Sequence, residues 1–268
     1  MLASRYHIKS ADKGDANAMF KYGSMVYIGD GVPLNKEEAA RYIKMAADHG
    51  HVDALYNYGA MLYDGEGVAK NRKEASRYFK MAADKGDTDA MFNIGLMMSE
   101  GDSIPVNKEE SARYFKMAAD KGHTSSISNY AKILRNGDGV PVDKKEATRY
   151  IKMGADHGDV GLMYAYSLMA QYGEGIPVNM EEAAHYAKMA ADSGHVKSIF
   201  NYAKMLYEGN GVPIDKKEAA RYFKTAADKG NIEAHVFYSD MLYRGDGIEV
   251  NKEEAAHYAK IAADNGNA

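Results

Sequence analysis

Residues 15–50 read DANAMFKYGSMVYIGDGVPLNKEEAARYIKMAADHG, and the fold is decided in this stretch. Between Ala16 and Tyr27 the apolar side chains Ala18, Met19, Tyr22, Met25 and Val26 recur at steps of three and four, which is one face of an amphipathic helix. Gly29-Asp30-Gly31-Val32-Pro33 then breaks the pattern. Glycine accepts the left-handed turn after a helix end, and proline cannot continue a helix. A second helix opens at Asn35, whose side chain can accept from first-turn amides while Glu38, three residues on, reaches back to the cap. Ala39, Tyr42, Ile43, Ala46 and Ala47 form its apolar stripe, and Gly50 stops it. The small alanines let the two helices of the pair approach closely.

The same punctuation recurs every 36 residues. Glycine falls at Gly14, Gly50, Gly86, Gly122, Gly158, Gly194, Gly230 and Gly266, and tyrosine keeps the step from Tyr6 and Tyr42 through Tyr258. The capping pair reappears as Asn71/Glu74, Asn107/Glu110, Asp143/Glu146, Asn179/Glu182, Asp215/Glu218 and Asn251/Glu254. The prolines Pro33, Pro105, Pro141, Pro177 and Pro213 share one repeat position. A fixed period in this range marks stacked units that each bury an apolar face against their neighbours. The expected fold is therefore all-α, a right-handed superhelical solenoid of helix–turn–helix repeats. Its seven units are 15–50, 51–86, 87–122, 123–158, 159–194, 195–230 and 231–266. Residues 1–14 read as the second half of a truncated repeat and 267–268 as a tail, so the array is expected to be an excised segment or to have its ends covered.

Composition narrows the function classes. The chain has 268 residues, 46% of them hydrophobic and 27% charged, with a net charge of −4. That balance argues against nucleic acid, which calls for a concentrated basic footprint. No apolar run approaches a membrane span, and Met1 to Arg5 carries no secretory pattern, so no direct membrane insertion and a cytoplasmic location are expected. The absence of cysteine removes thiol catalysis, thiolate metal sites and disulfides. Tyr, Met and Phe must supply the large apolar anchors, because there is no Trp.

The run Ala18…Tyr22-Gly23…Tyr27-x-Gly29-x-Gly31-Val32…Glu38-Ala39-Ala40-Arg41-Tyr42…Ala46-Ala47-x-x-Gly50 resembles the Sel-one-like repeat family, relatives of the tetratricopeptide repeats. The resemblance covers essentially the whole chain. Ser103 replaces a loop glycine, Ala69 and Glu249 replace the proline, and Gly154 replaces a helix alanine. Members of the family serve as adaptors in assembly, signalling and quality-control complexes, which implies a scaffold binding a peptide or protein segment. Some secreted, cysteine-rich relatives with a disulfide in each unit are associated with penicillin binding and β-lactamase activity. This cysteine-free chain departs from them, so that alternative carries over only weakly. A regulatory module of a larger signalling protein is a further alternative.

If the first helices line the concave face, as in tetratricopeptide arrays, the exposed positions are those of Asn17, Phe20, Ser24, Tyr27 and Ile28. An aromatic ladder then runs through Phe20, Tyr56, Phe92, Tyr164 and Phe200, interrupted by Ser128 and ended by Val236. Tyr63 and Tyr207 repeat Tyr27. These rings either pack between adjacent helices or form a groove for apolar side chains of a ligand. Asp53, Asp64, Asp89 and Glu100 make units two and three acidic, whereas Lys132, Arg135, Lys197 and Lys204 make units four and six basic. That gradient would orient a bipolar ligand, with Lys132 and Arg135 contacting carboxylate. It could equally be a solvated face.

Catalysis and metal binding find no footing. His51, His123 and His195 recur 72 residues apart, too distant to share a metal, and read as variable turn residues. Asn136-Gly137-Asp138-Gly139 lacks the third calcium ligand before its glycine and has Ala147 at the twelfth position. The carboxylates are accounted for by the capping pairs, and no nucleophile–base–orienter set stands out. No catalytic residue, metal site or cofactor is expected, and the open ends of the array are expected to favour end-to-end self-association.

Overall fold

The computed structural model describes residues 14–266. The half repeat expected over residues 1–14, except Gly14, and the tail at 267–268 lie outside the described residues. Two compact units divide the chain after Val142. The first holds α1 (Ala16–Ile28), α2 (Lys36–Asp48), α3 (Val52–Asp64), α4 (Arg72–Asp84), α5 (Thr88–Glu100), α6 (Lys108–Asp120) and α7 (Thr124–Asn136). The second holds α8 (Lys144–Asp156), α9 (Val160–Tyr172), α10 (Met180–Asp192), α11 (Val196–Glu208), α12 (Lys216–Asp228), α13 (Ile232–Arg244) and α14 (Lys252–Asp264). Each helix has 13 residues, and no strand occurs among the described residues. Within each unit consecutive helices pack pairwise. This is the all-α repeat fold expected from the period.

The caps explain the uniform length. Each first helix of a repeat ends on a left-handed glycine, from Gly29 (φ +76°) to Gly245 (φ +74°), whose amide closes onto a carbonyl four residues back. Each second helix starts on Asn or Asp, whose side chain accepts from the amide three residues on, as Asn35 does from Glu38 at 3.0 Å. The capping box is only half made. The Asn35 amide donates to Val26 O of the preceding helix at 3.1 Å, and Asn71 and Asn107 donate likewise to Leu62 O and Met98 O. The glutamates are thereby released for other partners, Glu38 accepting from the Tyr22 hydroxyl at 3.2 Å and Glu74 pairing with Arg77 at 2.9 Å.

The core repeats as the sequence does. Ala39, Ala75, Ala183 and Ala219 are fully buried where paired helices meet. Beside them a tyrosine from each helix meets edge to face, Tyr22–Tyr42 at 4.6 Å, Tyr58–Tyr78 at 4.8 Å, Tyr202–Tyr222 at 5.1 Å and Tyr238–Tyr258 at 4.9 Å. The second ring of the pair also ties one repeat to the one before: Tyr222 donates to Asp192 at 3.0 Å and Tyr258 to Asp228 at 2.9 Å. Repeat three breaks the series. Ile94 stands where the first tyrosine would be, and the fully buried Tyr114 hydroxyl has no hydrogen-bond partner.

Candidate protein-interaction face

The first helices present their outer positions through two recurring devices. The first is an imidazole cap. His51, His123 and His195 cap α3, α7 and α11, accepting at Nδ1 from the amides of Ala54 (3.3 Å), Ser126 (3.2 Å) and Ser198 (3.3 Å). An accepting Nδ1 must be unprotonated, which puts the ring proton on Nε2. Each imidazole also lies against a ladder ring, Phe20–His51 at 4.6 Å, Phe92–His123 at 5.1 Å and Tyr164–His195 at 4.8 Å. The position does vary, being Asp15, Asp87, Asp159 and Asn231 in the other repeats, and in each it caps the helix that follows. His123 Nε2 lies 3.2 Å from Asp89, and burial together with Lys197 holds the His195 pKa below its ordinary value.

The second device is a clamp from one repeat to the next. Tyr27 donates to Glu66, and Lys36 pairs with the same carboxylate at 3.0 Å. One repeat on, Tyr63 donates to Asp102 at 2.7 Å and Arg72 pairs with it at 2.9 Å. In the second unit Tyr207 and Lys216 hold Asp246 at 2.7 and 2.8 Å. In every case the cation also lies over the tyrosine ring, at 5.3, 4.3 and 5.0 Å from its centroid. The hydrogen bond to the phenol is the main influence holding the Glu66 and Asp102 carboxyls below their usual range, and Lys216 is the main one for Asp246. The same bonds push the Tyr27, Tyr63 and Tyr207 phenols up. Repeat three keeps the Lys108–Asp138 ion pair but has Ser99 at the tyrosine position. Between repeats five and six the three positions are Gln171, Met180 and Asn210, and the clamp is absent.

Each residue singled out from the sequence has a definite place. Phe20, Tyr56, Phe92, Tyr164 and Phe200 are half-buried. Tyr56 leans on Phe79 at 5.7 Å, Phe92 on Phe115 at 5.9 Å, and Phe200 on Phe223 and Phe237 at 5.7 and 5.5 Å. Tyr27, Tyr63 and Tyr207 spend their hydroxyls on the clamps. Lys132 and Arg135 are exposed on α7, and the Lys204 ammonium lies 6.0 Å from the Phe200 ring centroid. Sequence reading missed Glu66, Asp102 and Asp246 together with their cations Lys36, Arg72 and Lys216. Their signal is an acid 39 residues after each clamp tyrosine and a cation nine residues after it.

Two clefts adjoin on this face of the first unit. One, of about 290 Å³, is lined by Ser24, Tyr27, Asn57, Ala60, Asp64 and Glu66 among others. The next, of about 280 Å³, is lined by Tyr56, Ala60, Tyr63, Asp64, Asn93, Leu96, Glu100 and Asp102, with Met97 and Phe79 behind them. Ala60 and Asp64 belong to both, so the clefts run on from α1 across α3 to α5. Among the described residues no group of three or more His, Asp or Glu could hold a metal ion. No described helix is long and apolar enough to cross a membrane.

The Sel1 repeat pattern matches residues 16–51, 52–87, 88–123, 124–159, 162–195, 196–231 and 232–267. The chain belongs to the Sel1 repeat family. A protective antigen of uropathogenic Escherichia coli strains, displaying an SLR fold, superposes with a TM-score of 0.87 at 28% identity over 98% of this chain. This chain spans 56% of that antigen's length. A Sel1 repeat protein from Oxalobacter formigenes superposes at 0.72, also with 28% identity, over 98% of this chain and 77% of the other. No curated protein sequence matches. The Sel1 repeat solenoid is a protein-interaction type of fold, and its scaffolds are generally non-catalytic.

Proposed function

We propose that this Sel1 repeat protein is a non-catalytic scaffold that binds an extended protein segment along the first-helix face of its first unit. The pair of adjoining clefts across α1, α3 and α5 carries the reading. They form a continuous recess with apolar floor residues and polar walls, the form of surface that peptide-binding grooves use. The half-buried Phe20, Tyr56 and Phe92 flank that face, and in the second unit Tyr164 and Phe200 hold the equivalent positions. Lys132 and Arg135, on α7 of the same unit, supply cations for a carboxylate further along the ligand.

Selection of binders from a random peptide display library, followed by affinity measurement on variants, tests this. Ala60→Arg and Leu96→Arg fill the clefts and are expected to abolish binding. Met81→Arg, on the exposed side of α4, leaves it unchanged. Lys132→Glu combined with Arg135→Glu weakens acidic binders without loss of helicity. Selected peptides that bind Ala60→Arg as well as wild type while losing Met81→Arg would move recognition to the second helices and refute the proposal.

A further inference from the structure

The two clefts differ from the rest of the face in which of their charges are already satisfied. Lys36 neutralises Glu66, and Arg72 neutralises Asp102. Asp64 and Glu100 are exposed and make no ion pair among the described residues, although Arg72, committed to Asp102, also feels the charge of Asp64. They occupy the same position in successive repeats, 36 residues apart, at the C-terminal ends of α3 and α5. Asn57 and Asn93 likewise share one repeat position, and each lines one cleft. The Asn57 amide nitrogen donates to Asp53 O at 2.7 Å, which leaves its carbonyl oxygen as an acceptor. Repeats two and three therefore each bring to the recess a carboxylate outside any ion pair and an amide acceptor, whereas repeat one has Ile28 and Lys21 at those two positions. Its tyrosines, Tyr27, Tyr56 and Tyr63, come from repeats one and two.

We infer that this recess binds a basic, proline-containing segment in polyproline II conformation, with Lys or Arg at every third position. The inference rests on the first-helix face being the binding face. The run of the recess supports it: Asp64 lines both clefts and Glu100 the second, so carboxylates recur along one line, and a polyproline II chain returns to the same side every three residues, rising about 9.3 Å. One basic residue per turn then faces that line. In a Lys-Pro-Pro triplet only the lysine has a backbone N–H, because proline has none, and each of the two repeats supplies one asparagine to receive it. The two prolines lie against Ala60, Leu96 and the tyrosine rings, as such segments do in aromatic-lined grooves. Asp64 also presses on its surroundings, its charge helping to raise the Tyr27 and Tyr56 phenols.

The probe is a fluorescein-labelled peptide of three consecutive Lys-Pro-Pro triplets, titrated into the full 268-residue chain by fluorescence anisotropy. Two controls carry the same label: a peptide of identical composition with its lysines adjacent, and a Glu-Pro-Pro peptide. The spaced basic peptide is expected to bind most tightly. Asp64→Asn and Glu100→Gln each weaken it by about three-fold, the scale of one solvent-exposed ion pair, and Asn57→Ala weakens it with circular dichroism unchanged. High salt, by shortening the Debye length to a few Å, abolishes the difference between the two basic peptides. Equal affinity for the adjacent-lysine peptide, or indifference to Asp64→Asn and Glu100→Gln, overturns the inference. If the Glu-Pro-Pro peptide binds instead and is lost with Ala60→Arg, the binding face stands and the basic ligand falls. If none of the three peptides binds, the basic ligand falls, and the display selection above decides the face independently.

Discussion

Gly67 and Gly31 occupy the same repeat position with nearly the same backbone, φ +69° and φ +67°, yet the space around them differs. A Cβ built on Gly67 would lie 2.1 Å from Lys36 O and 2.5 Å from its carbonyl carbon, because the loop of repeat two sits against the start of α2. At Gly31 a Cβ meets nothing among the described residues within 4 Å. Replacement by alanine thus separates two costs. The left-handed conformation costs an L-residue about 1 to 2 kcal/mol at either site. At Gly67 alone the overlap forces the backbones apart, adding about 1 to 3 kcal/mol, the usual range for overpacking. Ser103 bounds the second figure, since it holds a Cβ at φ +62° in the equivalent loop of repeat three, so the stack can yield by some amount. Gly67→Ala is expected to cost about twice as much as Gly31→Ala, and Ser103→Gly to gain up to about 1 kcal/mol. Hydrogen exchange by mass spectrometry, read on peptides from α2 and α3, reports the loss locally, as a nearest-neighbour array requires. Equal destabilisation by Gly31→Ala and Gly67→Ala would refute the claim that loop-to-helix approach couples the repeats.

Three further outcomes are expected. Tyr114→Phe removes a buried hydroxyl that lacks a partner and raises the urea midpoint, whereas Tyr222→Phe deletes a bond to Asp192, costs about 1 kcal/mol of stability and lowers the midpoint; the same sign for both would contradict the pairing scheme. The His195 pKa is depressed in the fold, so the unfolded chain binds its proton first: this stabilisation is complete above 6.5 and is lost as pH falls through the lower folded value. His195→Asn keeps a good cap without a titrating group, so thermal scans across that window should show a smaller loss on acidification in the variant than in wild type. Building the missing clamp with Gln171→Tyr, Met180→Lys and Asn210→Asp is expected to slow exchange in α11 by about 1 kcal/mol of added protection, and unchanged exchange would mean that the clamps contribute nothing.

The period, the helix pairs and their boundaries were legible because they rest on local chemistry. Gly29 closes α1 and Asn35 opens α2 by contacts within a few residues, so sequence spacing carries the information. Ala39, Tyr42, Ile43, Ala46 and Ala47, expected to form the stripe of α2, are all buried. The clamps were not legible, although Tyr27, Lys36 and Glu66 recur in register, because pairing across 39 residues depends on how one repeat stacks on the next. The reach-back of Glu38 failed for a similar reason: Val26 O, one helix earlier, takes the amide that the glutamate was expected to accept. His51, His123 and His195 were readable as a series, but their caps depend on Nδ1 facing the helix start, which the residue type alone does not say.

Every clamp joins residues whose separations, nine and 39, are counted from one unit into the next, and none refers to a unit's place in the chain. Recombination between two copies that removes or adds a whole 36-residue unit therefore keeps both offsets in register, and a surviving clamp finds its acid again unless the unit joined to it is repeat six, where Asn210 stands at that position. Loss or gain of any other length shifts the 39-residue offset and breaks the clamp that spans the junction. Genes for such an array can change length freely in steps of one unit, and almost not at all in between.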